Sequence, residues 1–85
     1  MAVAREAAPY GVQINAIQPN YLYSEMYYPK AKFIDDPVGR EQIASIVPAG
    51  RLGTPEEFGE LVKFYISGRS TFTTGQVINF TGGWP

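Results

Sequence analysis

QINAIQPNYLYSEMYYP, residues 13–29, is a short apolar run that passes directly into a loop rich in aromatic side chains. The run from Val12 to Ile17 predicts a buried strand, and Pro19 ends it because proline cannot donate to a strand ladder. Six large side chains then fall within eight positions: Tyr21, Leu22, Tyr23, Met26, Tyr27 and Tyr28. In open α/β sheets, ligands bind outside the carboxyl ends of strands. The stretch therefore predicts a strand followed by a ligand-facing loop.

The rest of the chain predicts two complete helices, the end of another, and a second strand. Residues 1–8 favour a helix that lacks an N-cap, as expected for a helix whose beginning is missing. Pro37, after two aspartates, predicts a helix over residues 38–47. Thr54-Pro55-Glu56-Glu57 predicts a capping box, and the helix that follows has one apolar face for packing on a sheet. Residues 76–80, QVINF, predict the second strand.

Two buried strands joined by a helical crossover predict a right-handed βαβ unit with parallel strands. The fold class is therefore α/β, the C-terminal βαβ part of a Rossmann-like doubly wound parallel sheet, with two parallel strands and two to three helices. Residues 1–85 form a single partial domain. Parallel strands are normally buried on both faces and flanked by other strands on both edges. A unit of two strands leaves an edge open, and we expect something else to cover it.

Composition excludes several classes of function. The net charge of −1 and the absence of a basic cluster argue against a nucleic-acid partner. The chain has no cysteine and no histidine, which excludes a disulfide framework, a thiolate metal site and any triad that uses histidine. No apolar run is long enough for a membrane span or a signal peptide. We expect a cytoplasmic protein with no metal, no membrane association and no nucleic acid.

Three motifs occur in one order: APYGVQINAIQPN, then PAGRLGTPEEFGELVKFYIS, then TGQVINFTGG. Together they resemble the C-terminal third of the short-chain dehydrogenase/reductase superfamily. The resemblance implies that the glycine-rich nucleotide turn and the catalytic serine, tyrosine and basic residue, the last two four positions apart, belong to the preceding two thirds of that fold. It assigns no catalytic residue to this chain.

Two departures from the superfamily pattern narrow the resemblance. Pro19-Asn20-Tyr21 stands where reductases have Pro-Gly beside the nicotinamide, and Thr81-Gly82-Gly83 stands where they close with Asp-Gly-Gly. The side chains of Asn20 and Tyr21 would occupy the volume that a nicotinamide needs. PNYLYSE, followed by YYP, resembles the halohydrin dehalogenases, which are carbon–halogen lyases. The resemblance implies closure of haloalcohols to epoxides with release of halide and with no redox cofactor.

The resemblance also implies a halide and substrate site at the end of the first strand. Carried over position by position, its residues are Pro19, Asn20, Tyr21, Leu22, Tyr28 and Pro29. Backbone N–H donors and aromatic ring edges suit a large, polarisable anion in a dry pocket. Packing is the alternative interpretation of the tyrosines, and Asn20 could equally be a turn former.

Several charged and glycine residues outside this predicted site are better explained by structural roles than by binding or catalysis. The capping box explains Glu56 and Glu57, and a salt bridge is favoured over anion steering for Arg51. Gly82-Gly83 is only a weak phosphate signal. We expect Trp84 to be buried in a neighbouring subunit and the protein to be a homo-oligomer.

Three functional hypotheses follow. The first is the C-terminal part of a halohydrin-dehalogenase-like enzyme, incomplete by itself, whose small-molecule partners are a haloalcohol, an epoxide and a halide. The second is a non-enzymatic module that self-associates or complements a partner through its open edge. The third is part of an NAD(P)-dependent short-chain oxidoreductase.

Overall fold

The computed structural model describes residues 2–85, and Met1, which the sequence analysis assigns to the first helix, lies outside the described residues. The elements in chain order are α1 (Ala2–Ala7), β1 (Ala16–Pro19), α2 (Pro37–Ile46), α3 (Pro55–Ile66) and β2 (Val77–Phe80). A 3-10 turn follows α1, and a turn of π-helix (Ala31–Asp35) precedes α2. The α/β class and the order of the elements agree with the sequence analysis.

The two strands pair in parallel, as predicted, with Ala16 opposite Val77 and Pro19 opposite Phe80. Ala16 N–H donates to Gln76 O at 2.9 Å, and Asn20 N–H donates to Phe80 O at 3.1 Å. Alternate residues of a parallel strand donate to the same neighbour, so the nitrogen of Pro19 lies on the outer edge of the pair. Proline is therefore accommodated at the last position of β1 without loss of a ladder bond.

The first strand begins four residues later than the pattern predicts. Over residues 12–15 the bonds to the chain before β2 are mixed: Gly75 N–H donates to Ile14 O at 2.8 Å, but Thr74 Oγ1 accepts from Ile14 N–H at 3.1 Å and Asn15 Oδ1 accepts from Gln76 N–H at 3.0 Å. The segment is held to the chain before β2, but its bonds do not form a regular ladder. The prediction of a strand over residues 12–17 was therefore wrong at its beginning.

Both complete helices begin where the sequence predicts. Asp36 caps α2 by accepting from Val38 N–H at 3.0 Å. Thr54 and Glu57 form the reciprocal capping box of α3. A Cβ added at Gly39 would lie 1.7 Å from Lys32 O, so α2 packs against the π-helical turn through a contact that only glycine permits.

The buried core lies beneath the loop and not between α3 and the sheet. It consists of Ile43, Val47 and Leu52, against which half-buried aromatic and aliphatic side chains pack: Tyr21, Tyr23, Tyr28, Phe33 and Ile34. No residue of α3 is fully buried. Its apolar face contacts the sheet where the Phe58 ring packs on that of Phe80, with centroids 5.5 Å apart. The predicted packing of this face on the sheet is thus only partly realised.

The described chain is elongated, with extents of 51 × 22 × 20 Å. Its radius of gyration is 16.1 Å, whereas a compact domain of this length would have about 12 Å. No helix within residues 2–85 has the length and apolar character needed to cross a membrane.

Candidate functional site

The carboxyl ends of the two strands lie side by side, and two segments leave the sheet from them. The loop of residues 20–29 continues from β1, and residues 81–85 continue from β2. Because Pro19 is opposite Phe80, the first residues of both segments start as neighbours. The topology therefore brings the predicted ligand loop and the C-terminal segment to one end of the sheet.

Tyr21 adopts a left-handed backbone conformation, with φ at 55°, which is rare for a residue with a side chain. Its N–H donates to Asn20 Oδ1 at 2.8 Å, and its carbonyl accepts from Gly53 N–H at 2.9 Å. Left-handed backbone in a non-glycine residue costs about 1–2 kcal/mol. Such strain is concentrated at ligand sites and persists only where surrounding contacts hold it.

Gly53, in the connector before α3, fastens the loop in place. Its carbonyl accepts from Tyr23 N–H at 2.8 Å, so Leu22 and Gly53 form a short parallel bridge. A Cβ at Gly53 would lie 3.3 Å from Phe80 Cε1 and 3.5 Å from Leu22 Cδ1. The loop is therefore anchored at its base to a second segment. The sequence analysis did not identify this role of Gly53, although the GRLG connector was a local signal for it.

Four aromatic rings form a continuous row across the end of the sheet. Trp84 packs edge-to-face with Tyr21 at 5.2 Å, Tyr21 packs with Tyr28 at 5.7 Å, and Tyr28 packs with Phe33 at 5.6 Å, all between ring centroids. The sequence analysis expected Trp84 in a neighbouring subunit. Within this chain the indole packs against Tyr21 and stays partly exposed, and the expected contact with a neighbouring subunit stays a prediction.

The six predicted site residues do not all share one surface. Asn20, Tyr21 and Tyr28 are brought together by the Asn20 hydrogen bond and the ring contact. Leu22 lies beside Gly53. The carbonyl of Pro29 accepts from the N–H groups of Lys32 and Phe33 and so starts the π-helical turn. Pro19, the last residue of β1, and Asn20 and Tyr21 that follow it are thus the residues of the predicted set that lie at the strand ends.

Two small clefts border this end of the sheet. One, of about 240 Å³, is lined by Pro19, Asn20 and Trp84 together with polar side chains of both strands. The other, of about 150 Å³, is lined by Asn20, Tyr21, Arg51, Glu57 and residues of the segment that follows β2. A larger cleft of about 460 Å³ lies under the loop beside Tyr23, and it contains none of the six predicted residues. Leu22, Tyr28 and Pro29 line none of these three clefts.

Arg51 is engaged in a salt bridge, as the sequence analysis favoured. Its two terminal nitrogens donate to the two carboxylate oxygens of Glu57, each at 2.8 Å. Glu57 also accepts from the backbone N–H of Thr54 at 3.0 Å and from its hydroxyl at 3.1 Å. The hydrogen bonds from Arg51 and then from Thr54 lower the pKa of Glu57 to about 2. Arg51 is therefore neutralised by a partner in the helix cap.

Proton chemistry finds little support among the described residues. The hydroxyl of Tyr23 donates to Glu25, and that hydrogen bond raises the pKa of the phenol, which favours its protonated form. Tyr28 and Lys32 happen to have the four-residue spacing of a catalytic pair. Lys32 Nζ, however, lies 5.3 Å above the Phe33 ring, and Tyr28 packs against Tyr21 and Phe33. Residues 2–85 contain no cluster of three or more side chains suited to hold a metal ion.

Comparison of the sequence with known proteins identifies reductases as relatives. The model of the enoyl-(acyl carrier protein) reductase family matches residues 1–85. Acetoacetyl-CoA reductase of Shinella zoogloeoides is 39% identical over 82 residues, which are 96% of this chain and 32% of that protein.

Solved structures add a second group of relatives. A halohydrin dehalogenase bound to ethyl (2S)-oxiran-2-ylacetate superposes with a TM-score of 0.87 at 34% identity, covering 99% of this chain and 35% of that one. A protein described as a dehalogenation enzyme gives 0.84 at 30% identity, covering 99% and 34%. The chain spans about a third of the length of these relatives. It belongs to the enoyl-(acyl carrier protein) reductase family within the short-chain dehydrogenase/reductase superfamily, and its structure is similar to those of halohydrin dehalogenases.

Proposed function

We propose that this chain supplies one wall of the halide and substrate pocket of a halohydrin-dehalogenase-like enzyme, together with a surface for oligomer assembly. The observation that carries the proposal is Tyr21, which is held in a left-handed conformation between the rings of Tyr28 and Trp84 at the carboxyl ends of both strands. A reductase requires open space and glycine at such a position, whereas this chain fills it with a fixed aromatic ring.

The chemistry of this wall suits a halide. Asn20 Oδ1 is occupied by the N–H of Tyr21, which leaves the amide N–H₂ group as a donor. Aromatic ring edges carry partial positive charge. Glu57 is the one acidic side chain that lines the two small clefts, and its carboxylate is paired with Arg51. A leaving halide would therefore meet donors and ring edges beside an acidic side chain whose charge is paired.

In the proposed reaction, the hydroxyl oxygen of a haloalcohol attacks the neighbouring carbon. The C–O bond of the epoxide forms while the carbon–halogen bond breaks, and the halide departs with the bonding electrons towards Asn20 and Tyr21. The hydroxyl proton passes to a base outside residues 1–85. No hydride is transferred, so the reaction itself uses no redox cofactor. The part played by this chain is to receive and hold the leaving group.

An NAD(P)-dependent oxidoreductase is the second candidate, and it is favoured by the 39% identity to an acetoacetyl-CoA reductase. The two candidates make opposite demands on Asn20 and Tyr21. A dehalogenase uses these side chains to fill the space of a nicotinamide, whereas a reductase has to fit the nicotinamide beside them. Binding of NADPH by a longer protein that contains this segment, with loss of affinity in Asn20→Ala, would show that Asn20 contacts the cofactor and does not exclude it, and would support the reductase.

An assembly module is a third candidate, supported by the elongated shape and the incompletely covered apolar face of α3. Exposed apolar area of this kind is common at protein–protein contacts. Sedimentation equilibrium at micromolar concentration distinguishes the outcomes. A stable, well-folded monomer would remove self-association from the proposal.

The experiment for the main proposal measures bromide binding by the 85-residue chain through NMR linewidths of the bromide ion. We expect saturable broadening that is lost in Tyr21→Leu and kept in Tyr10→Leu, because Tyr10 is an exposed tyrosine distant in sequence from the loop. Non-saturable broadening in the wild-type chain, equal in both variants, would contradict the proposal. Halide release from a haloalcohol by the isolated chain above the buffer rate would show that it is catalytically complete.

A further inference from the structure

The cleft of about 460 Å³ beneath the loop is large enough for a small organic molecule, since such sites have volumes of about 300–1,000 Å³. Its apolar lining comes from the loop, the π-helical turn, α2 and the connector to α3: Tyr23, Phe33, Ile34, Ile43, Leu52 and Pro55. Ile43 and Leu52 belong to the buried core, so the cleft extends from the surface to the core. It contains neither Asn20 nor Tyr21 and is therefore distinct from the proposed halide wall.

Most polar groups that line this cleft already have partners within the chain. The hydroxyl of Tyr23 donates to Glu25, which leaves the ring as an apolar wall. Lys30 Nζ forms an ion pair with Asp35 at 3.2 Å. Arg51 is held by the carboxylate in the cap of α3. Two of the three cations in the lining are therefore already neutralised.

Arg40 is the third cation, and it has no counter-charge among residues 2–85. Its guanidinium forms no ion pair and no hydrogen bond there. It is the fourth residue of α2, and the dipole of a helix disfavours positive charge near the N-terminus. Glu56, the one acidic side chain in the lining, also has no ion pair, but it lies in the first turn of α3, where the dipole favours negative charge. An anionic group would therefore be attracted to Arg40.

We infer that this cleft is a second ligand site, which binds a small amphipathic carboxylate. The ring or short alkyl chain of the ligand packs against Phe33 and Ile34, and its carboxylate accepts hydrogen bonds from Arg40. A planar guanidinium can donate two parallel hydrogen bonds to one carboxylate, which fixes the direction of the ligand as well as its charge. The inference does not rest on the proposed halide wall.

The test measures binding of 4-phenylbutyrate, 4-phenyl-1-butanol and 4-phenylbutylamine to the 85-residue chain by titration of amide chemical shifts in NMR spectra. The three probes share one apolar body and differ in the charge of the head group. We expect saturable binding in which the carboxylate is preferred over the alcohol by about twofold to fivefold, the range for an exposed ion pair. Nuclear Overhauser effects from the phenyl ring should reach Phe33 and Ile34.

Two variants at Arg40 test the direction of this preference. Arg40→Gln should remove the preference for the carboxylate, and Arg40→Glu should reverse it in favour of the amine. Both changes are at an exposed side chain, so we expect the circular dichroism spectrum to be unchanged. Arg5→Gln is the matched control, because Arg5 is an exposed arginine in α1 that does not line the cleft. It should keep the wild-type preference.

Three results would overturn the inference. Equal binding of the three probes, unchanged in both Arg40 variants, would show adhesion to apolar surface without a built site. A wild-type preference for the amine would show that Glu56 governs the cleft. Nuclear Overhauser effects to Tyr21 in place of Phe33 and Ile34 would place the carboxylate at the halide wall. By contrast, a Tyr21→Leu chain that loses bromide binding and still binds 4-phenylbutyrate would support two separate sites.

Discussion

The loop side and the α3 side of this βαβ unit both carry large apolar side chains but are packed very differently. On the loop side, Ile43, Val47 and Leu52 are buried beneath tyrosines and Phe33. On the α3 side the helix has the stronger start signal and yet buries no side chain completely. The comparison shows that a well-specified helix need not be a well-covered one. The loop side packs directly beneath the proposed site, whereas the α3 side leaves large apolar side chains exposed.

Matched glycine substitutions give the largest expected contrast between the two sides. Gly39→Ala in α2 would push a Cβ into the backbone carbonyl of Lys32, and we expect a loss of about 4 kcal/mol in the free energy of unfolding. Gly59→Ala in α3 meets no atom within 4 Å, and we expect a gain of about 0.5–1 kcal/mol from helix propensity. Urea unfolding followed by circular dichroism measures both. Equal effects would contradict the described packing of α2 on the π-helical turn.

Truncation of one isoleucine on each side gives the next largest expected difference in the free energy of unfolding. Ile43 is 3% exposed and Ile66 is 78% exposed. We expect Ile43→Ala to cost about 3 kcal/mol because it leaves a cavity in the core. Ile66→Ala should change stability by less than about 0.5 kcal/mol in the monomer. A large loss in Ile66→Ala that depends on protein concentration would show that α3 is covered in an oligomer.

The cap of α3 gives a smaller and pH-dependent effect. The pKa of Glu57 is lowered to about 2 from an ordinary value of 4.5. The stabilisation from this carboxylate is therefore fully present above pH 4.5 and is lost as the pH falls towards 2. We expect Glu57→Gln to remove this part of the acid dependence, as measured by unfolding between pH 5 and pH 2. Glu60→Gln, on the same helix without an ion pair among the described residues, serves as control, and an equal change in both variants would contradict the role of the cap.

The starts of both complete helices could be predicted because their signals are local. Asp36-Pro37 and the Thr54–Glu57 capping box act within four residues, and the structure reproduces both. Parallel pairing of the strands and the α/β class followed from the order of elements and their apolar runs. The helix starts depend on neighbours along the chain, whereas the strand pairing was predictable because two apolar strands joined by a helical crossover favour parallel pairing.

The remaining features depend on contacts distant in sequence. The beginning of β1 was misplaced because Thr74 and Asn15 side chains substitute for ladder bonds there. The position of Trp84 depends on how Gly82 and Gly83 turn against Val47 and Pro48. The aromatic loop could be placed at the carboxyl end of β1 from the sequence, and its role as a ligand region stays a prediction. Composition alone could not show that Tyr21 takes a left-handed conformation and that Gly53 fastens it.

The central proposal is that Asn20 and Tyr21 form a halide-facing wall at the carboxyl ends of both strands. The most direct measurement is anomalous diffraction at the bromine absorption edge from crystals of this chain grown over a series of bromide concentrations. We predict a peak that saturates and lies within contact distance of the Asn20 amide and the Tyr21 ring, and that is missing in Tyr21→Leu. Bromide found only at scattered surface positions, or unchanged in the variant, would contradict the halide wall.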